Sequence, residues 1–161
     1  SRKIANIYDR ILGEKNVPHF FFTLEGVEPK VFSDVYNTVP KNPQLVNIED
    51  QILGPTNKYI FIVPEYNGSF PGMFKAFIDA CDIKKCFHNT KACLVGVSDG
   101  RAGNLRGMEH LTNILNHMRV NLLYLKLPLS QIGDNLDPQG NLISPEYTKM
   151  IHQQIDMFLE F

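Results

Sequence analysis

The chain has 161 residues, a formal charge of −1, 43% hydrophobic and 20% charged residues. That length suits one domain with a sizeable core. The near-neutral balance excludes the basic stripe of a nucleic-acid binder and the strongly acidic surface by which small electron carriers dock. No apolar run approaches the roughly 20 residues that span a bilayer, and no signal peptide is visible.

Lys3 to Leu12 carries apolar residues at helical spacing, and Gly13 is expected to end the helix. His19-Phe20-Phe21-Phe22-Thr23-Leu24 is a short aromatic run that reads as a strand. Residues 25 to 50 hold Gly26, Pro29, Pro40 and Pro43 and read as loop, with a helical piece near Ser33 to Tyr36. Gln51-Ile52-Leu53 ends a further helix turn. Tyr59 to Val63 reads as a strand buried on both faces. A helix over 71–82 has Pro71 in its first turn and Ser69 or Phe70 as its cap. A strand over 91–97, a helix over 104–118 and a strand from Asn121 to Leu127 follow. Pro128 to Pro145 is a loop rich in Gly, Pro, Asn and Asp. A helix from Glu146 to Phe161 closes the chain, with Ser144-Pro145 as cap and first-turn pair and with Met150, Ile151, Ile155, Phe158 and Leu159 inward. Strands alternate with helices, so the class is α/β with a parallel sheet.

Cys81, Cys86 and Cys93 are too few and too irregular for a disulfide framework. Their spacing, even with His88 nearby, does not match a zinc site. No metal is expected, and reduced structural thiols in a cytoplasmic protein fit best. Nothing matches a nucleophile elbow, a Gly-x-Gly-x-x-Gly loop or a Walker lysine motif.

The most informative segment is Pro64-Glu65-Tyr66-Asn67-Gly68-Ser69-Phe70-Pro71-Gly72. It links a buried strand to a helix, and its Asn-Gly pair suits a tight turn with φ > 0. In open α/β sheets ligands bind at such strand ends. A second segment, Val95-Gly96-Val97-Ser98-Asp99-Gly100-Arg101-Ala102-Gly103-Asn104-Leu105-Arg106, occupies the equivalent place after the next strand. In words, order and spacing the two segments resemble the NADPH-dependent FMN reductase family, which includes quinone, azo-dye and chromate reductases.

The resemblance implies a flavodoxin-like three-layer sandwich with strand order 2-1-3-4-5. The sequence gives four strands and opens directly into a helix, so the first strand and the phosphate loop are expected to precede Ser1 by about a dozen residues. Residues 1–161 then form one FMN-binding domain, incomplete at its amino end. Ser1 resembles the last part of the phosphate loop. Pro64, Glu65, Tyr66, Asn67 and Gly68 would meet the flavin ring, with Tyr66 as a flat wall. Ser98, Gly100, Arg101 and Gly103 would meet it from the second loop, where the glycines let backbone N–H groups approach. The family commonly has Gly-Gly where this chain has Gly103-Asn104; asparagine tolerates φ > 0, so the turn is kept while the ring contact at 104 is in question. Arg101 and Arg106 are candidates for the phosphates of NADPH, with a surface or interface ion pair as the plainer reading of Arg106. His110 and His117 read as solvated or interface residues.

The implied activity is transfer of hydride from NADPH or NADH to FMN and onward to a quinone, azo compound, oxyanion or free flavin, by ping-pong kinetics and with no catalytic side chain. A non-catalytic FMN electron carrier and a cofactor-free scaffold of the same fold are the alternatives. Phe70, Met73, Phe74 and Phe77 put more apolar bulk on one helix than one buried stripe needs, so a homodimer or homotetramer is expected.

Overall fold

Every residue of Lys91–Val97 (β2) after Lys91 is buried, which places this strand at the sheet centre. The computed structural model describes residues 1–33 and 39–161. Lys58–Pro64 (β1) pairs with β2 in parallel over its whole length, from Lys58 opposite Lys91 to Pro64 opposite Val97. On the other side of β2 lie two short parallel segments, Asn121–Leu122 (β3) and Leu127–Leu129 (β4). They occupy one line of the sheet. Between the two pairings β2 advances three residues, from Ala92 to Val95, and the partner advances five, from Leu122 to Leu127. The strand expected over 121–127 is therefore split by a two-residue excess that bulges outward, and Tyr124 stands 80% exposed at the break.

Helices cover both faces. Arg2–Glu14 (α1) and Pro145–Glu160 (α6) pack on one face, where Ile4, Ile7, Ile11, Ile151 and Ile155 meet Val95, Val97, Leu127 and Leu129. Pro43–Ile48 (α2), Gly72–Ala80 (α3), Ile83–Cys86 (α4) and Leu105–His117 (α5) pack on the other, around Tyr59, Val63, Ala92 and Leu94. A π-helical turn, Glu49–Leu53, extends α2 and includes the expected turn at 51–53. None of the helices among the described residues is long and apolar enough to cross a membrane.

Several sequence expectations need correction. Residues 19–24 form no strand. A strand exists only through a neighbour's ladder, and no described strand lies beside this segment. Instead Phe22 packs against Phe77 of α3 with ring centroids 5.7 Å apart and the rings tilted by 34°. β1 is an edge strand among the described residues, so Ile60, Phe61 and Ile62 are only half-buried rather than enclosed on both faces. Gly13 does not stop α1, which runs one residue further to Glu14. Pro71 is itself the cap of α3, in extended conformation, so neither Ser69 nor Phe70 fills that role. The helical piece expected near Ser33 to Tyr36 falls outside the described residues beyond Ser33, which closes a 3-10 turn over Pro29–Phe32.

Candidate functional site

β1 and β2 are parallel and in register, so their carboxyl ends deliver two loops to the same rim of the sheet. Proline lacks an N–H and cannot continue a ladder from within, and Pro64 is the last residue of β1. Glu65 adds one more rung by donating its N–H to the Val97 carbonyl at 2.9 Å. Tyr66 and Ser69 then exchange N–H···O bonds of 2.8 and 3.0 Å. Between them Asn67 and Gly68 have φ of 51° and 77°. Two consecutive left-handed residues make the tight hairpin turn that Asn-Gly favours. The tip projects outward: Tyr66 is 62% exposed, and the Asn67 and Gly68 N–H groups have no intramolecular acceptor among the described residues.

The second loop starts at Ser98, whose N–H donates to Leu129 O at 3.0 Å and whose hydroxyl donates to Gly100 O at 2.9 Å. Gln131 and Ile132 donate back to Gly100 and Ser98. Asp99, Gly100, Arg101 and Ala102 are exposed, and their N–H groups have no acceptor among the described residues. Gly103 is buried and has φ of 55°. A side chain there would meet the Pro128 backbone at 2.5 Å. The glycine thus lets the loop press down on β4. Asp99 lies within electrostatic range of the Ser1 nitrogen at the start of α1, so the amino end of that helix reaches the same rim.

Asn104 joins the two loops. It caps α5 in the left-handed conformation, φ 61°, which asparagine tolerates. Its side-chain amide donates to the carbonyls of Val63 and Pro64, both at 3.1 Å, and its backbone N–H donates to Glu65 Oε2 at 3.2 Å. Its Oδ1 is the one buried side-chain oxygen without a partner among the described residues. This fastening role was missed in the sequence, which offered only the signal of an asparagine at a left-handed position. Ser69 was likewise read only as a possible cap. Its hydroxyl instead meets Nδ1 of His110 at 2.9 Å, so His110 is engaged and not merely solvated.

The structure thus brings Pro64, Glu65, Tyr66, Asn67 and Gly68 against the loop that carries Ser98, Gly100, Arg101 and Gly103, with Ser1 near its Asp99 end. Arg101 and Arg106 are exposed and form no ion pair among the described residues. Arg106 reaches over the turn, its Nη1 3.9 Å from the place a Gly68 side chain would begin. The cysteines lie elsewhere and are free and buried. Cys81 closes α3 and Cys86 ends α4; a hydrogen bond to Cys86 and burial push the Cys81 thiol up, and burial alone does so for Cys93. The Cys81 and Cys93 thiols thus stay protonated and inert. No cluster able to hold a metal is found among the described residues.

The family model described as NADPH-dependent FMN reductase matches residues 1–127. The chain is similar to an NAD(P)H-dependent FMN reductase of Pseudomonas aeruginosa, 29% identical over 116 residues that make up 70% of this chain and 62% of the relative. It is also similar to a 2-hydroxy-1,4-benzoquinone reductase of Burkholderia sp, 23% identical over 124 residues, or 72% of this chain and 66% of that one. The chain thus spans under two thirds of the length of both curated relatives. Among solved structures it resembles FerB, a flavoenzyme NAD(P)H:(acceptor) oxidoreductase from Paracoccus denitrificans, with a TM-score of 0.69, 19% identity, and coverage of 99% of this chain and 87% of that one. At that identity the likeness speaks for the flavodoxin-like fold.

Proposed function

The chain belongs to the NADPH-dependent FMN reductase family, and on that premise we propose that residues 1–161 are one FMN-binding domain of an NAD(P)H-dependent oxidoreductase. The observation that carries this reading is the pair of fastened loops at one rim, with a bare tyrosine face beside unpaired N–H donors. The donor set fits a flavin. Tyr66 offers a flat wall, and the N–H groups of Asn67, Gly68 and Asp99 to Ala102 can meet ring oxygens and nitrogens. The amino end of α1 at Ser1 offers the positive end of a helix dipole to a phosphate. FMN would supply hydride acceptance and release.

The protein's part is to position and to exclude. Pro64, Glu65 and Gly103 hold the two loops in place, while Ser98 and Gly100 shape the second loop. Arg101 and Arg106 supply unpaired positive charge for the phosphates of NADPH or NADH. One site then serves donor and acceptor in turn, so the kinetics are ping-pong. The acceptor class is a quinone, azo compound, oxyanion or free flavin, and the name of the Burkholderia relative favours a quinone. Met73 is 54% exposed on α3, next in sequence to half-buried Phe74, whose ring meets that of Phe70; exposed apolar bulk at this end of α3 supports a homodimer or homotetramer. Three buried free cysteines suit a reducing cytoplasm.

The test is spectroscopic. Natural full-length protein mixed with FMN should shift the flavin absorption and quench its fluorescence. Added NADPH or NADH should then bleach the flavin without a partner reductase. Protein that leaves FMN fluorescence unchanged overturns the reading. A bound flavin that neither nucleotide bleaches points instead to an electron carrier.

A further inference from the structure

We propose that His110 is a positioning residue that sets the attitude of the Tyr66–Ser69 hairpin, and through it the flavin-facing tip; the second clause rests on the reading above. Asn104, Gly107 and His110 recur every third residue and form one stripe along α5. Each meets the first loop at a different point. Asn104 holds its base at Val63 and Pro64. Gly107 lets the helix lie against the loop's exit, since a side chain there would come within 2.8 Å of the Phe70 nitrogen. His110 reaches the tip through Ser69.

The hairpin's internal bonds fix its own turn but not its angle to the sheet. Among the described residues, Ser69 to His110 is the one side-chain hydrogen bond that ties residues 66–69 to another element. Without it the tip is free to pivot on Glu65 and Phe70. Either charge state makes the bond: a neutral Nδ1 accepts from the serine hydroxyl, and a protonated Nδ1–H donates to Oγ. His110 is exposed, so its loss removes the tie without opening the core.

His110→Phe keeps the ring and removes the nitrogen. Backbone amide exchange at Tyr66 and Ser69 in the flavin-free full-length protein should quicken about tenfold, and the FMN dissociation constant from fluorescence titration should rise about three- to tenfold. His110→Asn places a polar atom near the lost Nδ1 and should restore both to within about twofold. Ser69→Ala should match His110→Phe, and the double variant should add nothing further. Unchanged exchange in His110→Phe, or full additivity in the double variant, overturns the proposal. Faster exchange with unchanged FMN affinity overturns its link to the flavin. A wild-type protein that binds no FMN refutes the flavin reading and that link, while the exchange data alone decide whether His110 holds the hairpin.

Discussion

Gln154 has no exposed surface, yet it is among the most connected side chains of the molecule. Its amide nitrogen donates to Leu94 O at 3.1 Å and Leu125 O at 2.8 Å, and its oxygen accepts from Tyr8 OH at 2.7 Å. Leu125 lies inside the break between β3 and β4 and Leu94 stands opposite it on β2, so Gln154 supplies the bonds that the interrupted ladder does not. A buried group that loses its partner costs about 1–3 kcal/mol. Gln154→Leu should therefore destabilise by about 2–3 kcal/mol in urea unfolding, and Tyr8→Phe by about 1 kcal/mol. Gly103→Ala should cost about 2 kcal/mol or more, because a left-handed backbone and the Pro128 contact act together. His19 contributes a pH dependence. Its Nδ1 meets Val17 O at 2.7 Å and its Nε2 meets Asp9 at 2.9 Å, and those bonds, the carbonyl first, raise its pKa. A raised value stabilises the fold fully below the ordinary histidine value of about 6.5, and the gain is lost as pH rises through the folded value. The stability gap between wild type and His19→Asn should thus be largest near pH 5 and close above neutrality, staying under about 1 kcal/mol because the pair is exposed.

At the scale of elements, what was legible followed from local chemistry. Ser144 caps α6 as its sequence suggests, accepting from the Tyr147 N–H at 3.2 Å. The Asn67-Gly68 pair made the hairpin tip readable, since few other dipeptides favour that turn. What failed depended on distant partners. The aromatic run 19–24 has strand composition, but composition supplies no neighbour. The break in 121–127 follows from register against β2, which spacing within the segment does not encode. Asn104 finds its carbonyls about 40 residues earlier in the chain, so its role as a fastener had no local sign. The same holds at the other end of the sheet. Lys58 and Lys91 face each other across the first rung. Lys58 donates to Phe158 O and Leu159 O at 3.0 and 2.9 Å, and Lys91 donates to Phe161 O. Two cations at a helix carboxyl end also favour its dipole. Lys58→Met should fray the last turn of α6 and lower stability by about 1 kcal/mol, seen as faster amide exchange over 157–161 with the rest of the helix unchanged.

For the whole molecule, the parallel sheet separates two duties. Loops at the carboxyl rim carry the candidate site, and the lysine pair at the amino rim holds α6 to the strands. If FMN binds the folded state alone, a hundredfold excess over its dissociation constant should add about 2.7 kcal/mol to stability, and the midpoint of thermal unfolding should rise with the logarithm of added FMN. The same gain should appear in the Lys58→Met variant, because its lesion and the ligand share no contacts. Evolutionary freedom follows from that separation. A lineage moving to a hotter habitat can adjust the residues around Lys58, Lys91 and the end of α6 without disturbing the loops of the carboxyl rim. A lineage changing what the carboxyl rim binds can redraw Tyr66 to Gly68 or Asp99 to Ala102 while its heat resistance stays where it was.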